Sequence, residues 1–296
     1  MNIVVLGPGA IGSLWAHSLH CAGHSVSLWS RSDGHTHTIQ VDDGRAIVLA
    51  NHDTPALEQA DLLLVTVKAP QVTQAIQPLL KHLHSECIVL LMHNGMGTAE
   101  PTSKILTGNP LVLATTTHGV YRQSDSLILH TGLGTTQLGG YNAKGKQCQF
   151  LEDVLHHALP NVSWNPNIQE ALWHKLAINC AINPMTAIHQ ITNGELNSNN
   201  YSKELDRVIN EVSQVMNAEG ITTSLATLKE TVYKVINATA KNHSSMQQDI
   251  FYHRTSEIDF ITGYLLERAK AHNIAAPSNA ALYEQIKRIE QSWKSS

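Results

Sequence analysis

The stretch "NIVVLGPGAIGSLWAHSLHCAG", residues 2–23, decides how this chain is read. Asn2 to Leu6 form a short, β-branched apolar run, the mark of a buried strand. Glycines follow at 7, 9 and 12, and a helical apolar pattern then runs to Gly23, a residue that suits a helix stop. Strand, tight turn and helix in this order put Gly7-Pro8-Gly9-Ala10-Ile11-Gly12 in the context that a G-x-G-x-x-G needs to bind a dinucleotide. The first glycine permits the turn and the second lets a pyrophosphate approach the backbone. The third allows close helix–strand packing, while the helix N-terminus offers unpaired N–H groups to the anion.

Reading outward, residues 25–30, 61–67, 87–92 and 111–117 are further apolar strand-like runs, several of them separated by helical segments. Continuous apolar strands alternating with helices imply a parallel sheet covered on both faces. Beyond about residue 120 the segments "SLILH" (126–130) and "TTQLG" (135–139) read as short hairpin-type strands. From about 167 helical patterns take over, over 168–190, 201–219, 225–241, 246–272 and 278–292. The stretch "LPNVSWNPN" (159–167), rich in Pro and Asn, is the linker candidate. The expected fold is α/β: a Rossmann-type doubly wound parallel sheet over 1–165, followed by an all-helical domain over 166–296.

Composition narrows the function classes. The 296 residues are 42% hydrophobic, enough for real cores, and 20 basic residues face 24 acidic ones without long runs. A net charge of -4 without a basic patch argues against a nucleic-acid partner. No apolar stretch approaches the roughly 18 residues of a membrane span, and the first residues carry no charged leader or cleavage pattern, so no signal peptide is expected. Cys21, Cys87, Cys148 and Cys180 are widely spaced, which fits reduced thiols and a cytoplasmic setting. The 18 histidines include 35/37, 82/84 and 156/157, but no nearby Cys or carboxylate completes a ligand set, so no metal is expected. No heptad seam settles between a monomer and a homodimer.

Cofactor choice rests on the end of the second strand. An NAD-binding domain usually places an acidic residue there; this chain has Ser30-Arg31-Ser32, whose guanidinium and hydroxyls suit the 2'-phosphate of NADP. Asp33 stands close by, and a solvated arginine also fits a strand end. Lys68 and Asn94 follow other strands at their carboxyl ends, where open parallel sheets bind ligands. Spacing alone is met equally by a solvated Lys68, and the glycines around Asn94 in "HNGMG" suit a plain turn as well as a close backbone approach.

In "ALWHKLAINCAINP" (171–184), Lys175, Asn179 and Asn183 recur every four residues and so share one helix face, drifting by ~40° per step. Leu172, Leu176, Cys180 and Ala181 supply an apolar band beside them, and Pro184 is expected to end or kink the helix. Buried ammonium and amide groups need partners, which a polar ligand or interhelical hydrogen bonds would both provide. Glu257 precedes Ile261, Tyr264 and Leu265 at helical spacing, placing a carboxylate on an apolar helix face; an ion pair with Arg254 also accounts for it. Ser245 stands three residues before Gln248, a capping-box pattern that puts it at a helix N-terminus, where a carboxylate of a substrate could be held.

Taken together, "GPGAIG", "LLLVTVKAPQV" (62–72), "HNGMGT" (93–98), "ATTTHG" (114–119), "EALWHKLAINCAINPMTAI" (170–188), "NGEL" (193–196) and "SSMQQDIFYHRTSEIDFITG" (244–263) resemble the ketopantoate reductase (2-dehydropantoate 2-reductase) family. The likeness runs in order over nearly the whole chain. It implies a Rossmann domain and a helical domain with the active site in the cleft between them. It also implies reduction of ketopantoate to pantoate with NADPH, on the route to pantothenate and coenzyme A. Carried onto matching positions, Lys175 is the proton donor, and Asn179, Asn183, Asn193, Asn242 and Ser245 contact substrate. Gly7, Pro8, Gly9, Ala10, Ile11, Gly12, Arg31, Lys68, Asn94, the backbone around Val120, and Glu257 are implied on the cofactor side, with Glu257 also near substrate and counted with Lys175 as catalytic. Pro8 occupies a variable place in the family's turn.

The implied chemistry is hydride transfer to the carbonyl carbon of a small 2-oxo acid, with Lys175 protonating the oxygen. An unperturbed lysine, with a pKa of ~10.4, is a slow acid at neutral pH; desolvation lowers it and a nearby Glu257 raises it. Other branched 2-oxo acids, a related hydroxy-acid dehydrogenase, and an NADP-sensing protein without turnover share parts of this pattern. A sensor, however, has no need of a proton donor.

Overall fold

The computed structural model describes residues 1–293, and the chain divides into two compact units. One comprises Met1–His93 with Thr98–Ala171; the other comprises Asn94–Gly97 and the chain from Leu172 onward.

The first unit is built on a seven-stranded sheet. β1 (Asn2–Leu6) lies between β2 (Ser25–Trp29) and β5 (Leu62–Val65), and β6 (Ile88–Met92) and β7 (Leu111–Thr116) continue outward from β5, all parallel. Every residue of β5, β6 and β7 is buried, which is why these runs are continuously apolar or end in threonine rather than alternating. α1 (Ala10–Cys21) buries Leu14, Trp15, Ala16 and Leu19 in the same core as Ile3, Val5, Leu28, Leu62 and Leu64. Gly23 lies near its C-terminal end at φ +87 and donates its N–H to the His20 carbonyl, the expected helix stop. The short helices α2 (Thr54–Glu58), α3 (Val72–Ile76), α4 (Ala99–Ile105) and α5 (Leu151–Ala158) fill the connections.

Four strands escaped the sequence reading. β3 (Thr36–Val41) and β4 (Ile47–Ala50) pair antiparallel and join β8 (Gly119–Arg122) and β9 (Leu127–Gly132) in a second, four-stranded sheet. The two segments expected as short hairpin-type strands are both strands, with different partners. β9 pairs with β8, whereas β10 (Thr136–Gly140) runs antiparallel to β7 in the main sheet. The linker candidate also carries structure: β11 (Val162–Trp164) is an edge strand parallel to β10.

The second unit is helical. α6 (Ile168–His189) begins in the first unit's stretch of chain and matches the pattern expected over 168–190; it continues past Pro184, which therefore does not end it. Pro184 removes the N–H that would meet the Cys180 carbonyl, and the wholly buried packing of residues 180–187 holds the helix through it; just beyond it, the Thr186 hydroxyl donates to the carbonyls of Ile182 (2.9 Å) and Asn183 (3.1 Å). α7 (Ser202–Ala218), α8 (Leu225–Ala238) and α11 (Pro277–Ser292) follow the periodic patterns. The buried Glu211 of α7 accepts the Ser278 and Asn279 N–H groups (both 2.9 Å) and the Asn279 amide (2.8 Å), capping α11 from a distance. The helix expected over 246–272 is three pieces: α9 (Ser245–Phe251), a single 3-10 turn at Ile258–Phe260, and α10 (Thr262–Ala271). Among the described residues, no helix is long and apolar enough to cross a membrane, and no three His, Cys, Asp or Glu side chains gather to hold a metal ion.

Candidate active site

The glycine turn leaves β1 between the carboxyl ends of β2 and β5, where Leu6 stands opposite Trp29 on one side and Val65 on the other. Gly7 takes φ +89, and a Cβ there would lie 2.4 Å from Val67 Cγ1. At Gly12 a Cβ would meet Thr66 Oγ1 at 2.4 Å and the Gly7 carbonyl at 2.5 Å, so this glycine is demanded by packing. Gly9 differs: no protein atom lies within 4 Å of the place its Cβ would take. It is the N-cap of α1 and makes no side-chain cap, so it leaves the first-turn N–H groups of the helix without a side-chain acceptor from that position. The turn is tied by Gly7 N–H to Trp29 O (2.9 Å), Gly9 N–H to Gly7 O (2.7 Å) and the Thr66 hydroxyl to Gly7 O (2.8 Å). Pro8, Ala10 and Ile11 fill the intervening places.

Past β2 the chain folds into a fixed loop. The buried Asn51 accepts the Ser30 N–H (3.1 Å) and donates its amide to the carbonyls of Ser32 (3.2 Å) and Gly34 (2.6 Å); the His52 ring lies 2.9 Å from the Ser32 carbonyl. Ser30 and Ser32 hydroxyls are 2.7 Å apart, and Arg31 between them is exposed. Asn51 is the brace that the sequence did not reveal, since it sits some 20 residues downstream in an otherwise ordinary loop. Lys68, half-buried, opens the 3-10 turn Ala69–Gln71 just beyond β5. Val120 lies in β8 of the smaller sheet, next to a register shift at Gly119 and opposite His130, and packs against the core that includes β1 and α1. Nearby His118 Nδ1 is 2.9 Å from His130 Nε2 and accepts the Gly134 N–H (3.1 Å).

In the second unit α6 carries the polar stripe. Lys175 and Asn179 are half-buried and Asn183 is buried, beside Leu176, Cys180 and Ala181 in the core. Burial draws the Lys175 ammonium down from 10.5 to about 8, against the opposing charge of Glu257, which favours the protonated form. Glu257 is itself buried, as the N-cap residue of the 3-10 turn rather than on a helix face; Arg254 pairs with Asp249 at 3.4 Å. The Cys180 thiol is pushed up to about 12 by burial, so it is no nucleophile.

Other candidates converge on this unit through backbone and hydroxyl contacts. Thr186, one turn after Asn183, shares a 2.8 Å hydrogen bond with the Ser244 hydroxyl. Ser244, not Ser245, is the N-cap of α9, accepting the Gln247 N–H at 3.0 Å; Ser245 is exposed, its hydroxyl free of the capping role that the sequence suggested. Asn193 donates its N–H to the Asn242 carbonyl (2.9 Å) and its amide to Thr239 Oγ1 (2.9 Å), while its buried carboxamide oxygen has no protein partner. The Asn94–Gly97 loop also belongs here: Met96 N–H donates to the Phe260 carbonyl at 2.8 Å. Gly95 and Gly97 take φ +81 and +97, and a Cβ on Gly95 would meet Phe260 O at 2.5 Å.

Comparison with known proteins matches residues 3–143 to the family described as ketopantoate reductase PanE/ApbA and residues 167–290 to its C-terminal part. The 2-dehydropantoate 2-reductase of Vibrio cholerae serotype O1 is 54% identical over 293 residues, 99% of each chain. The chain belongs to the ketopantoate reductase family. A solved PanE/ApbA family ketopantoate reductase from Ralstonia eutropha JMP134 matches this family member with a TM-score of 0.89 at 25% identity, over 99% of this chain and all of that one. D-mandelate dehydrogenase, solved with NADH and anilino(oxo)acetate, shares the fold with a TM-score of 0.90 at 23% identity, over 99% of both chains.

Proposed function

We propose that this ketopantoate reductase family member reduces 2-dehydropantoate to pantoate with NADPH, with Lys175 as proton donor. The observation that carries the reading is the lysine itself: an ammonium drawn to about 8 by burial, next to an opposing carboxylate, on a helix whose same face presents two amides. Such a lysine stays mostly protonated at neutral pH yet gives up its proton more readily than a solvated one.

The residues of the first unit suit a dinucleotide. The open space at Gly9, the uncapped start of α1 and the exposed Arg31 between two hydroxyls match a pyrophosphate and a 2'-phosphate. Gly7 to Gly12 would hold the pyrophosphate and Arg31 the 2'-phosphate, with Lys68, Asn94, Val120 and Glu257 as further contacts on the cofactor side. When bound, the nicotinamide supplies the hydride.

On the substrate side, Asn179, Asn183, Asn193, Asn242 and Ser245 would hold the hydroxyl, ketone and carboxylate of a small 2-oxo acid, since each amide both donates and accepts. The Asn193 oxygen, without a protein partner, suits a donated hydroxyl. Lys175 Nζ donates to the carbonyl oxygen as negative charge grows there, then passes its proton to it and is left as the neutral amine. Water restores that proton afterwards. A panel of 2-oxo acids with NADPH and with NADH tests the assignment. Substrate-dependent oxidation greatest with ketopantoate and NADPH is expected; preference for another 2-oxo acid points to a different dehydrogenase, and binding without oxidation to a sensor.

A further inference from the structure

The turn that presents Glu257 is gripped by one face of α11. Tyr283, Lys287 and Glu290 are spaced i, i+4 and i+7, so their side chains share that face. Tyr283 donates its hydroxyl to Asp259 Oδ1 (2.7 Å), and Lys287 donates to Asp259 Oδ2 (2.8 Å). Glu290 Oε1 accepts both the backbone N–H (2.8 Å) and the hydroxyl (2.7 Å) of Ser256, the residue before Glu257. The Ser256 hydroxyl in turn accepts the Ile258 N–H at 3.3 Å, spanning Glu257 from either side.

This arrangement is costly if its only purpose is stability. Glu290 is 7% exposed and Ser256 2% exposed, so a carboxylate has been taken out of water close to the end of the last helix. Among the described residues, Lys287 stands 3.8 Å from the other Glu290 oxygen and is engaged with Asp259, and Arg254 is engaged with Asp249. An apolar pair of similar volume would hold two elements together at less cost, whereas one carboxylate oxygen that accepts both the backbone N–H and the hydroxyl of Ser256 fixes a backbone position and a side-chain rotamer at once. The turn so fixed has two outputs: Glu257 itself, and the Phe260 carbonyl that docks the Asn94–Gly97 loop through Met96.

We propose that Glu290 is a positioning residue: by clamping Ser256 it holds the Glu257 carboxylate where its charge acts on Lys175. The proposal deepens the reading of Lys175 as the proton donor and rests on it for its catalytic meaning. Glu290 touches no reacting atom; it works through Ser256 and Glu257.

The test follows Lys175 directly, without substrate. In the full-length chain labelled with carbon-13 lysine, the Lys175 resonance is assigned by its loss in Lys175→Arg, and its titration midpoint is compared among variants. Glu257→Gln should lower the midpoint by roughly one unit, the usual effect of losing an adjacent opposite charge. Glu290→Ala should lower it in the same direction, and Glu290→Gln, which keeps an acceptor oxygen for Ser256, should restore it. Ser256→Ala, which loses one of the two donors, gives the same reading should Glu290→Ala not fold. A midpoint that moves in Glu257→Gln but stays put in folded Glu290→Ala or Ser256→Ala overturns the proposal, and so does one that Glu257→Gln leaves unmoved. Turnover of Lys175→Ala, measured alongside, separates the two claims. Near-normal turnover sinks the proton-donor role while leaving the clamp, and lost turnover with unmoved midpoints does the reverse.

Discussion

Alanine at Gly9 and alanine at Gly12 should have opposite consequences, although the two glycines sit three residues apart in one turn. At Gly12 the added methyl would stand 2.4 Å from Thr66 Oγ1 and 2.5 Å from the Gly7 carbonyl, about 1 Å inside ordinary contact. One of those oxygens is backbone, so α1 or the turn must move, at a cost of about 1–3 kcal/mol. For a domain of this size that is roughly 2–4 °C of melting temperature per kcal/mol. At Gly9 the backbone has φ -73 and ψ -161, at the edge of the extended region open to alanine, and nothing lies within 4 Å. Gly9→Ala should therefore melt with the wild type or about 0.4–1 kcal/mol above it, because the unfolded chain loses freedom. Yet the methyl would occupy the space assigned to the pyrophosphate, and NADPH affinity should fall at least about tenfold, or 1.4 kcal/mol. Thermal denaturation of the cofactor-free protein and titration of NADPH by fluorescence measure both quantities. A Gly9→Ala variant that binds NADPH as the wild type does would refute the assignment of that space, and a Gly12→Ala variant of unchanged stability would refute the packing argument.

Further outcomes follow from the same geometry. Arg31→Ala should weaken NADPH much more than NADH, and equal losses would remove the 2'-phosphate assignment. Asn51→Ala strips three hydrogen bonds from the 30–34 loop and should reproduce that NADPH-selective loss while also costing about 1–3 kcal/mol of stability; a variant with intact NADPH selectivity would show that the loop needs no brace. If Lys175 is the proton donor it acts only when protonated, so turnover under saturating substrate should decline as pH rises through about 8, and a flat profile to pH well above that value would contradict the role.

Much of the fold was legible because the decisive signals are local. The glycine turn, the buried parallel strands and the 22-residue α6 all depend on patterns within one segment. The polar face of α6 was readable for the same reason, since spacing of four fixes a helix face whatever surrounds it. What was not legible depends on partners far along the chain. β3, "THTIQV", carries polar residues at most positions and becomes a strand only by pairing with β4 and β9. Ser244 and Ser245 each precede a glutamine by three residues, so either satisfies the capping pattern; the contact of Thr186 with Ser244, 58 residues away, belongs to the one that caps. The break between α9 and α10 is hidden because Ile250, Ile258, Ile261 and Leu265 continue to look periodic, while the groups that hold the intervening turn come from α11. Arg31 was singled out by its position after a strand, but the loop that displays it is set by Asn51, which no local pattern marks.

The central claim is that a desolvated lysine on α6 protonates the reduced carbonyl of a 2-oxo acid. Its most direct test is the absorbance of NADPH with ketopantoate present and absent, for the wild type and for Lys175→Ala shown to be folded and to bind NADPH normally. The account predicts ketopantoate-dependent oxidation in the wild type, reduced about 10²-fold or more in the variant. No ketopantoate-dependent oxidation by the wild type, or near-normal turnover by Lys175→Ala, would contradict it.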